Sequence, residues 1–359
     1  MPQNIVIVGG GIIGAMAAYH LTQRGAQVTV LDAGHARATD ASFGWVNASF
    51  FADDAHFQLR AEGIAAYVRL ANTLDVPVTT QGSLVWENEG PDFDSQVDKL
   101  NRLGADVQVI DRQAFAALEP AFGQPPERAM LFPSESAVDS AALVTSLMAA
   151  ASAAGARMLS GVFVDGVTQS GDQVTGVTTA MGALPADQVI VASGVGTEVL
   201  LARLGLLLPM LKRPGLMMRT RPIAQTIGHI LASPAQELRQ LSNGAILAPV
   251  SAGHQADTSS EITTPPDVLA DAAIIRLRTM LPDADLEWDH VMLADRPMPQ
   301  DGLPAVGAMG PTGLYVATMH SGITLGAIMG ELIATEILDG ASNKSTDLLA
   351  PYRPQRFVQ

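Results

Sequence analysis

The residues whose types and spacing speak first of chemistry are Gly9-Gly10-Gly11-Ile12-Ile13-Gly14, which read G-x-G-x-x-G, and Asp32, which follows further on. Glycine at the first position permits a tight turn. At the second it lets the backbone approach a pyrophosphate, and at the third it lets a helix pack on a strand with no Cβ between them. Amides at a helix start attract phosphate, and an acid about 20 residues downstream can accept hydrogen bonds from a ribose. Two later stretches offer a similar close approach: the small-residue turn Ala192-Ser193-Gly194 and the helix start after Met319-His320-Ser321-Gly322. Arg296, stiffened by Pro297, suits either a planar bidentate contact with a carboxylate or an ordinary salt bridge. His320 stands between a strand end and a glycine, with a structural role as its alternative. The segment holding Ser42, Gly44, Trp45 and Asn47 can supply hydroxyl, backbone and amide contacts to a ligand already held at the first turn. Otherwise it is a surface loop with Trp45 as a packing residue.

These groups need particular elements to hold them. Asn4 to Val8 is a short apolar run, Ala15 to Arg24 has helical composition, and Gln27 to Leu31 reads as a second strand ending at Asp32. With 33 glycines in 359 residues the glycine spacing alone would be weak, but strand, turn, helix, strand and acid together describe a dinucleotide-binding βαβ unit. That unit does not choose between FAD and a nicotinamide nucleotide. Helices are expected from about Ala55 to Leu74, Phe93 to Leu103, Ala141 to Ala154 with Asp139 or Ser140 as cap, Val268 to Met280, and from Gly322 to Ile337. From Pro209 to about Leu293 the pattern shifts to short strands, Leu216 to Thr220, Thr226 to Leu231 and Ala245 to Val250, with a flanking helix. This predicts a second domain, dominated by an antiparallel sheet, inserted into the first.

Composition narrows the classes. A hydrophobic fraction of 48% with 16% charged residues describes a packed globular chain, and a net charge of -15 argues against nucleic acid as a partner. The absence of cysteine excludes disulfides, thiolate metal ligands, cysteine nucleophiles and thioether-linked flavin. Seven scattered histidines without paired spacing predict no metal site. The apolar N-terminus lacks a basic leader and is broken by the glycine turn, so a secretory signal is not expected. A soluble, cytoplasmic protein is the expectation. Peripheral association with a membrane stays open.

At this point the motifs carry a resemblance that spans almost the whole chain. The start GGGIIGAMAAYHLTQRGAQVTVLDAG, the segment DQVIVASGVGTEVL, the R-P-x-x-x-D-G-x-P-x-x-G from Arg296 to Gly307 and the terminal HSGITLGAIMG stand in order. So arranged, the chain resembles the FAD-dependent D-amino acid oxidase and dehydrogenase superfamily, which includes glycine and sarcosine oxidases and bacterial D-amino acid dehydrogenases. The resemblance implies an α/β fold, with a Rossmann-like FAD-binding domain formed by residues 1–80, 139–208 and 294–359. An α+β substrate domain would comprise residues 81–138 and 209–293. It implies noncovalent FAD with Gly9, Gly11, Ile12, Ile13 and Gly14 at the pyrophosphate, Asp32 and Ala33 at the adenosine ribose, and Val164 near adenine. Ser42, Gly44, Trp45 and Asn47 would pass the ribityl and isoalloxazine parts, and Ala192, Ser193 and Gly194 would form the second close approach. Gly322, Ile323, Thr324 and Leu325 would surround the flavin pyrimidine end. Arg296 would anchor the substrate carboxylate, with His320, Trp45 and His254 as further candidates for the substrate pocket.

The implied reaction oxidises the C–N bond of a small amino or imino acid by hydride transfer to flavin N5. A hydroxy-acid oxidoreductase and a noncatalytic FAD-binding subunit of a hetero-oligomeric dehydrogenase are the alternatives. Oxygen or a membrane quinone could reoxidise the flavin, and the oligomeric state is left open. The sequence departs from the family in its middle domain, where the usual P-R-x-D-G-x-x-x-x-G-G region is represented by Ala248 to His254, and in having Met319 where a glycine is usual. The substrate is therefore undetermined.

Overall fold

The structure is a computed structural model that describes residues 3–34, 37–75, 77–79, 82–252 and 258–358. Its fold is α/β, a Rossmann-like domain joined to an α+β domain. The first sheet has six strands in the spatial order Ala305–Ala308, Leu314–Thr318, Gln188–Val191, Asn4–Val8, Gln27–Asp32 and Arg157–Ser160. All neighbours are parallel except the Ala305–Ala308 edge. Runs such as Ile5-Val6-Ile7-Val8 are continuously apolar because both faces are covered. Alternate residues point to opposite faces. Ile5 and Ile7 join a core with the helices Ile12–Gln23, Ser140–Ala153 and Gly322–Asp339, whereas Val6 and Val8 join a core with Val164, Val174 and Val177 of a small three-stranded sheet.

The opening helix and the long C-terminal helix approach closely along a stripe of small residues. A Cβ on Gly326 would meet Ile12 Cγ1 at 3.0 Å, and one on Gly330 would meet His20 Cδ2 at 2.5 Å. The second helix, Asp54–Ala71, crosses the same C-terminal helix where Gly63 faces the Thr324 carbonyl, 2.5 Å from where a Cβ would lie. Two helices therefore fix where the last motif begins.

The second sheet has eight strands, in the order Trp288–Asp295, Pro214–Thr220, Ile246–Pro249, Glu237–Gln240, Ile230–Ala232, Ser83–Val85, Arg128–Phe132 and Gln108–Asp111. It is antiparallel except where Ile230–Ala232 runs parallel to Ser83–Val85. The helix Pro266–Met280 packs on one face. The expected strand Thr226 to Leu231 begins only at Ile230, since the preceding amides are satisfied by side chains: Thr226 and Ile227 donate to Gln240 Oε1, and Gly228 to Glu119. Among the described residues no helix is long and apolar enough to cross a membrane, and no group of acidic, histidine or cysteine side chains could hold a metal ion.

Candidate functional site

The Gly9, Ala192 and His320 motifs follow the carboxyl ends of three adjacent parallel strands and Asp32 ends a fourth, at the edge where ligands bind in open α/β sheets. After Val8 the chain turns at Gly9, with φ +117°, against the second small-residue turn: a Cβ on Gly9 would lie 2.3 Å from the Ala192 carbonyl oxygen. A Cβ on Gly14 would lie 2.0 Å from the Gly9 carbonyl oxygen, so helix and strand pack as the spacing predicts. Gly11 differs, because a Cβ there would touch only Thr39 Oγ1, at 3.3 Å. Ile12 N donates to Thr39 Oγ1 at 3.1 Å, and the helix has no acidic residue in its first turn. The geometry of any helix start then leaves the amides of Ile13 and Gly14 without an intrahelical acceptor. With two free amides and no acidic residue in its first turn, this helix start suits a pyrophosphate.

Asp32 ends its strand beside this turn. Its Oδ1 accepts the Gly34 amide at 3.1 Å, and Arg37 Nη1 stands 3.6 Å from Oδ2 while donating to the Gly10 carbonyl at 2.8 Å. Val162 N donates to the Asp32 carbonyl, bringing buried Val164 to the same flank, and Ala33 continues the edge half-exposed. At the other turn Ser193 Oγ lies 3.3 Å from Thr197 Oγ1, and Thr318 Oγ1 donates to the Gly194 carbonyl at 3.3 Å. Pro297 Cβ would sit 3.7 Å from a Cβ on Gly194. The Arg296-Pro297 segment thus borders the second turn. Arg296 is half-buried, with its amide donating to the Arg213 carbonyl at 2.8 Å and its Nε at 3.4 Å.

The Phe43 to Ser49 segment is held by three buried ionisable side chains that sequence reasoning did not single out. Arg239 donates from Nε to the Phe43 carbonyl and from Nη2 to the Val138 carbonyl at 3.1 Å. Glu135, 1% exposed, accepts from Trp45 Nε1 at 2.8 Å, Ala48 N at 2.9 Å, Ser49 N at 2.8 Å and Ser83 Oγ at 2.6 Å. Arg60 donates from Nε to the Asn47 carbonyl at 3.0 Å, from Nη2 to Asn47 Oδ1, and from Nη1 to Ser321 Oγ at 2.8 Å. Burial pulls both arginines below the usual guanidinium range, to about 10, and pushes the Glu135 carboxyl up. Ser42 Oγ accepts the Gly44 amide, and a Cβ on Gly44, at φ +76°, would strike the Val138 carbonyl.

Trp45 is buried with its one polar atom engaged by Glu135, and the Asn47 amide oxygen is engaged by Arg60. At the last motif Ser321 has φ +58°, the one non-glycine residue with positive φ among those described. Its Oγ lies 3.3 Å from Nδ1 of half-buried His320. Gly322, Ile323, Thr324 and Leu325 start the helix: Thr324 Oγ1 donates to the Trp45 carbonyl at 3.1 Å, and Tyr67 Oη donates to the Ile323 carbonyl at 2.6 Å. The loop and the helix start are therefore one joined unit. His254 lies outside the described residues. A sequence signal for Arg60 does exist: Arg60, Gly63 and Tyr67 share one helix face at i, i+3 and i+7, an arginine inside an otherwise packing stripe. Glu135 and Arg239 carry no such periodic signal.

Comparison with known proteins matches residues 4–336 to the DAO family model, described as FAD dependent oxidoreductase. The bifunctional protein ThiO/ThiG of Trichormus variabilis is 28% identical over 99% of this chain, which spans only 55% of that relative. A D-amino acid dehydrogenase of Allorhizobium ampelinum is 24% identical, with 96% of each chain covered. The crystal structure of glycine oxidase from Geobacillus kaustophilus aligns over the full length of both chains with a TM-score of 0.86 at 22% identity.

Proposed function

The chain belongs to the DAO family of FAD-dependent oxidoreductases, and from that premise we propose that it oxidises the C–N bond of a small amino or imino acid. The observation that carries the proposal is the joining of the Gly9, Ala192 and Gly322 turns along one sheet edge, with the Arg296-Pro297 segment beside them. In this reading FAD is held noncovalently, with Gly9, Gly11 and Gly14 at the pyrophosphate, Asp32 and Ala33 at the adenosine ribose and Val164 near adenine. The Ser42 to Asn47 loop and the Gly322 to Leu325 helix start embrace its flavin, and residues 81–138 and 209–293 cover the substrate. Bound FAD supplies a two-electron acceptor that takes the substrate's α-hydrogen as hydride.

The protein's own work is positioning and electrostatics. The Arg296 guanidinium, held by the Arg213 carbonyl, presents a fixed fork to the substrate carboxylate and so aligns the α-carbon. Amides at the start of the C-terminal helix meet negative charge as it develops. The names of the relatives, D-amino acid dehydrogenase and glycine oxidase, support an amino acid as substrate.

Anaerobic mixing of the FAD-loaded protein with amino, imino and hydroxy acids tests this. Loss of the oxidised flavin absorbance with amines alone is the expected result. Bleaching by hydroxy acids alone, or by no donor, would sink the C–N assignment. Stopped-flow mixing of the reduced protein with oxygen and with a quinone identifies the acceptor.

A further inference from the structure

Arg60 stands apart from the other donors of the site. It is 4% exposed, and among the described residues its hydrogen-bond partners are the Asn47 carbonyl and amide oxygens and the Ser321 and Thr324 hydroxyls, all neutral. Glu135 acts on it through space but makes no hydrogen bond to it, its oxygens accepting from Trp45, Ala48, Ser49 and Ser83, and burial disfavours the charged form of that carboxyl. A buried cation served only by neutral acceptors leaves a positive potential that favours negative charge nearby. The same spot receives the positive end of the Gly322–Asp339 helix, whose N-cap Ser321 makes no side-chain capping bond.

A strut alone would not need this charge. One helix turn beyond Gly63, Tyr67 ties the same second helix to the same helix start with a neutral hydroxyl, donating to the Ile323 carbonyl at 2.6 Å. Glu135 already anchors the loop through the Ala48 and Ser49 amides. Arg60 adds a full positive charge at the junction of the two segments, where neutral donors would serve for attachment.

We propose that Arg60 is an electrostatic positioning residue: bridging Asn47 to Ser321 and Thr324, its guanidinium stabilises negative charge on the flavin and raises the reduction potential of the bound cofactor. This rests on FAD lying along the Asn47 loop and the Gly322 helix start. Reduction by two electrons and one proton leaves a negative charge on the flavin pyrimidine end, and sulfite addition at N5, which forms an S–N bond with the sulfite electron pair, does the same. Sulfite is therefore a probe that needs no substrate.

The test is sulfite titration and potentiometry of the full chain as wild type, Arg60→Met and Arg60→Lys, beside FAD affinity measured by quenching of flavin fluorescence on mixing with apoprotein. Wild type is expected to bleach with sulfite. Arg60→Met should bind sulfite at least about tenfold more weakly. A tenfold fall in its reduction equilibrium would lower its potential by about 30 mV for a two-electron couple. Arg60→Lys should lose less than Arg60→Met, because a protonated lysine keeps the charge while giving up the planar fork. Wild type that binds no FAD would overturn the cofactor placement and this proposal with it. Wild type that binds FAD but does not bleach, or Arg60→Met that holds FAD with unchanged sulfite affinity and potential, would overturn the proposal alone. If Arg60→Met folds without retaining FAD, Arg60→Lys decides: a tenfold loss there shows that geometry, and not charge, is what Arg60 supplies.

Discussion

Glu135 and Trp45 meet in the interior, the indole Nε1 donating to Glu135 Oε2 at 2.8 Å while Oε1 receives the amides of Ala48 and Ser49. A carboxylate accepts all of these with no donor of its own; an amide cannot. Glu135→Gln should therefore cost at least about 2 kcal/mol of unfolding free energy, read from urea midpoints, because one NH2 group is forced against donors. The folded carboxyl sits above its ordinary value of 4.5, chiefly through burial. Above 4.5 and up to the raised folded value, the native state holds the extra proton, so this group's contribution falls as pH rises through that interval. The Gln variant should lack that slope.

His56 should produce the opposite slope. Its Nδ1 accepts the Ala52 amide at 3.2 Å, and burial followed by the charge of Arg60 lowers its pKa from 6.5 to about 4, against the smaller raising effect of Asp53. Between those values the unfolded chain takes up a proton that the folded chain refuses. Stability is then complete above pH 6.5 and falls as pH drops toward 4, by about 3 kcal/mol from this group. Urea titrations of wild type and His56→Gln from pH 4 to 7 should show the slope only in wild type.

Gly11 and Gly14 should separate cofactor binding from folding. Gly11 has φ −75° and a Cβ on it would touch only Thr39 Oγ1, so Gly11→Ala should change apoprotein stability by no more than about 0.5 kcal/mol. It should still weaken FAD binding at least about tenfold, since a Cβ at this position obstructs the close backbone approach that a pyrophosphate needs. In Gly14→Ala the new methyl strikes the Gly9 carbonyl, and the apoprotein itself should melt at a lower temperature. Equal melting losses in the two variants would remove the distinction.

Arg296→Ala should retain FAD and lose at least about tenfold in kcat/KM toward carboxylate substrates, equivalent to about 1.4 kcal/mol of transition-state stabilisation. Steady-state kinetics with a substrate and its decarboxylated amine provide the measurement. Unchanged efficiency for the acid would remove Arg296 as its anchor.

Local pattern alone determined the opening βαβ unit and its glycine turn. Continuous apolar runs such as Ile5 to Val8, the glycines at 9, 11 and 14 and the cap at Asp139, which accepts the Ala142 amide at 3.0 Å, act over a few residues and can be read directly. The strand Glu237–Gln240 could not be read so, because it is buried on every residue and shows no alternation. With it went Arg239, which reaches Phe43 across 196 positions. Arg60 joins Ser321 across 261 positions, and Glu135 joins Trp45 across 90. Periodicity carries no information about such partners, since they meet only when the two sheets and three helices have packed. The sequence thus determined the cradle for a dinucleotide. Tertiary structure decided which buried charges hold the loop and the helix start together around it, because the worth of a charge depends on what surrounds it after folding.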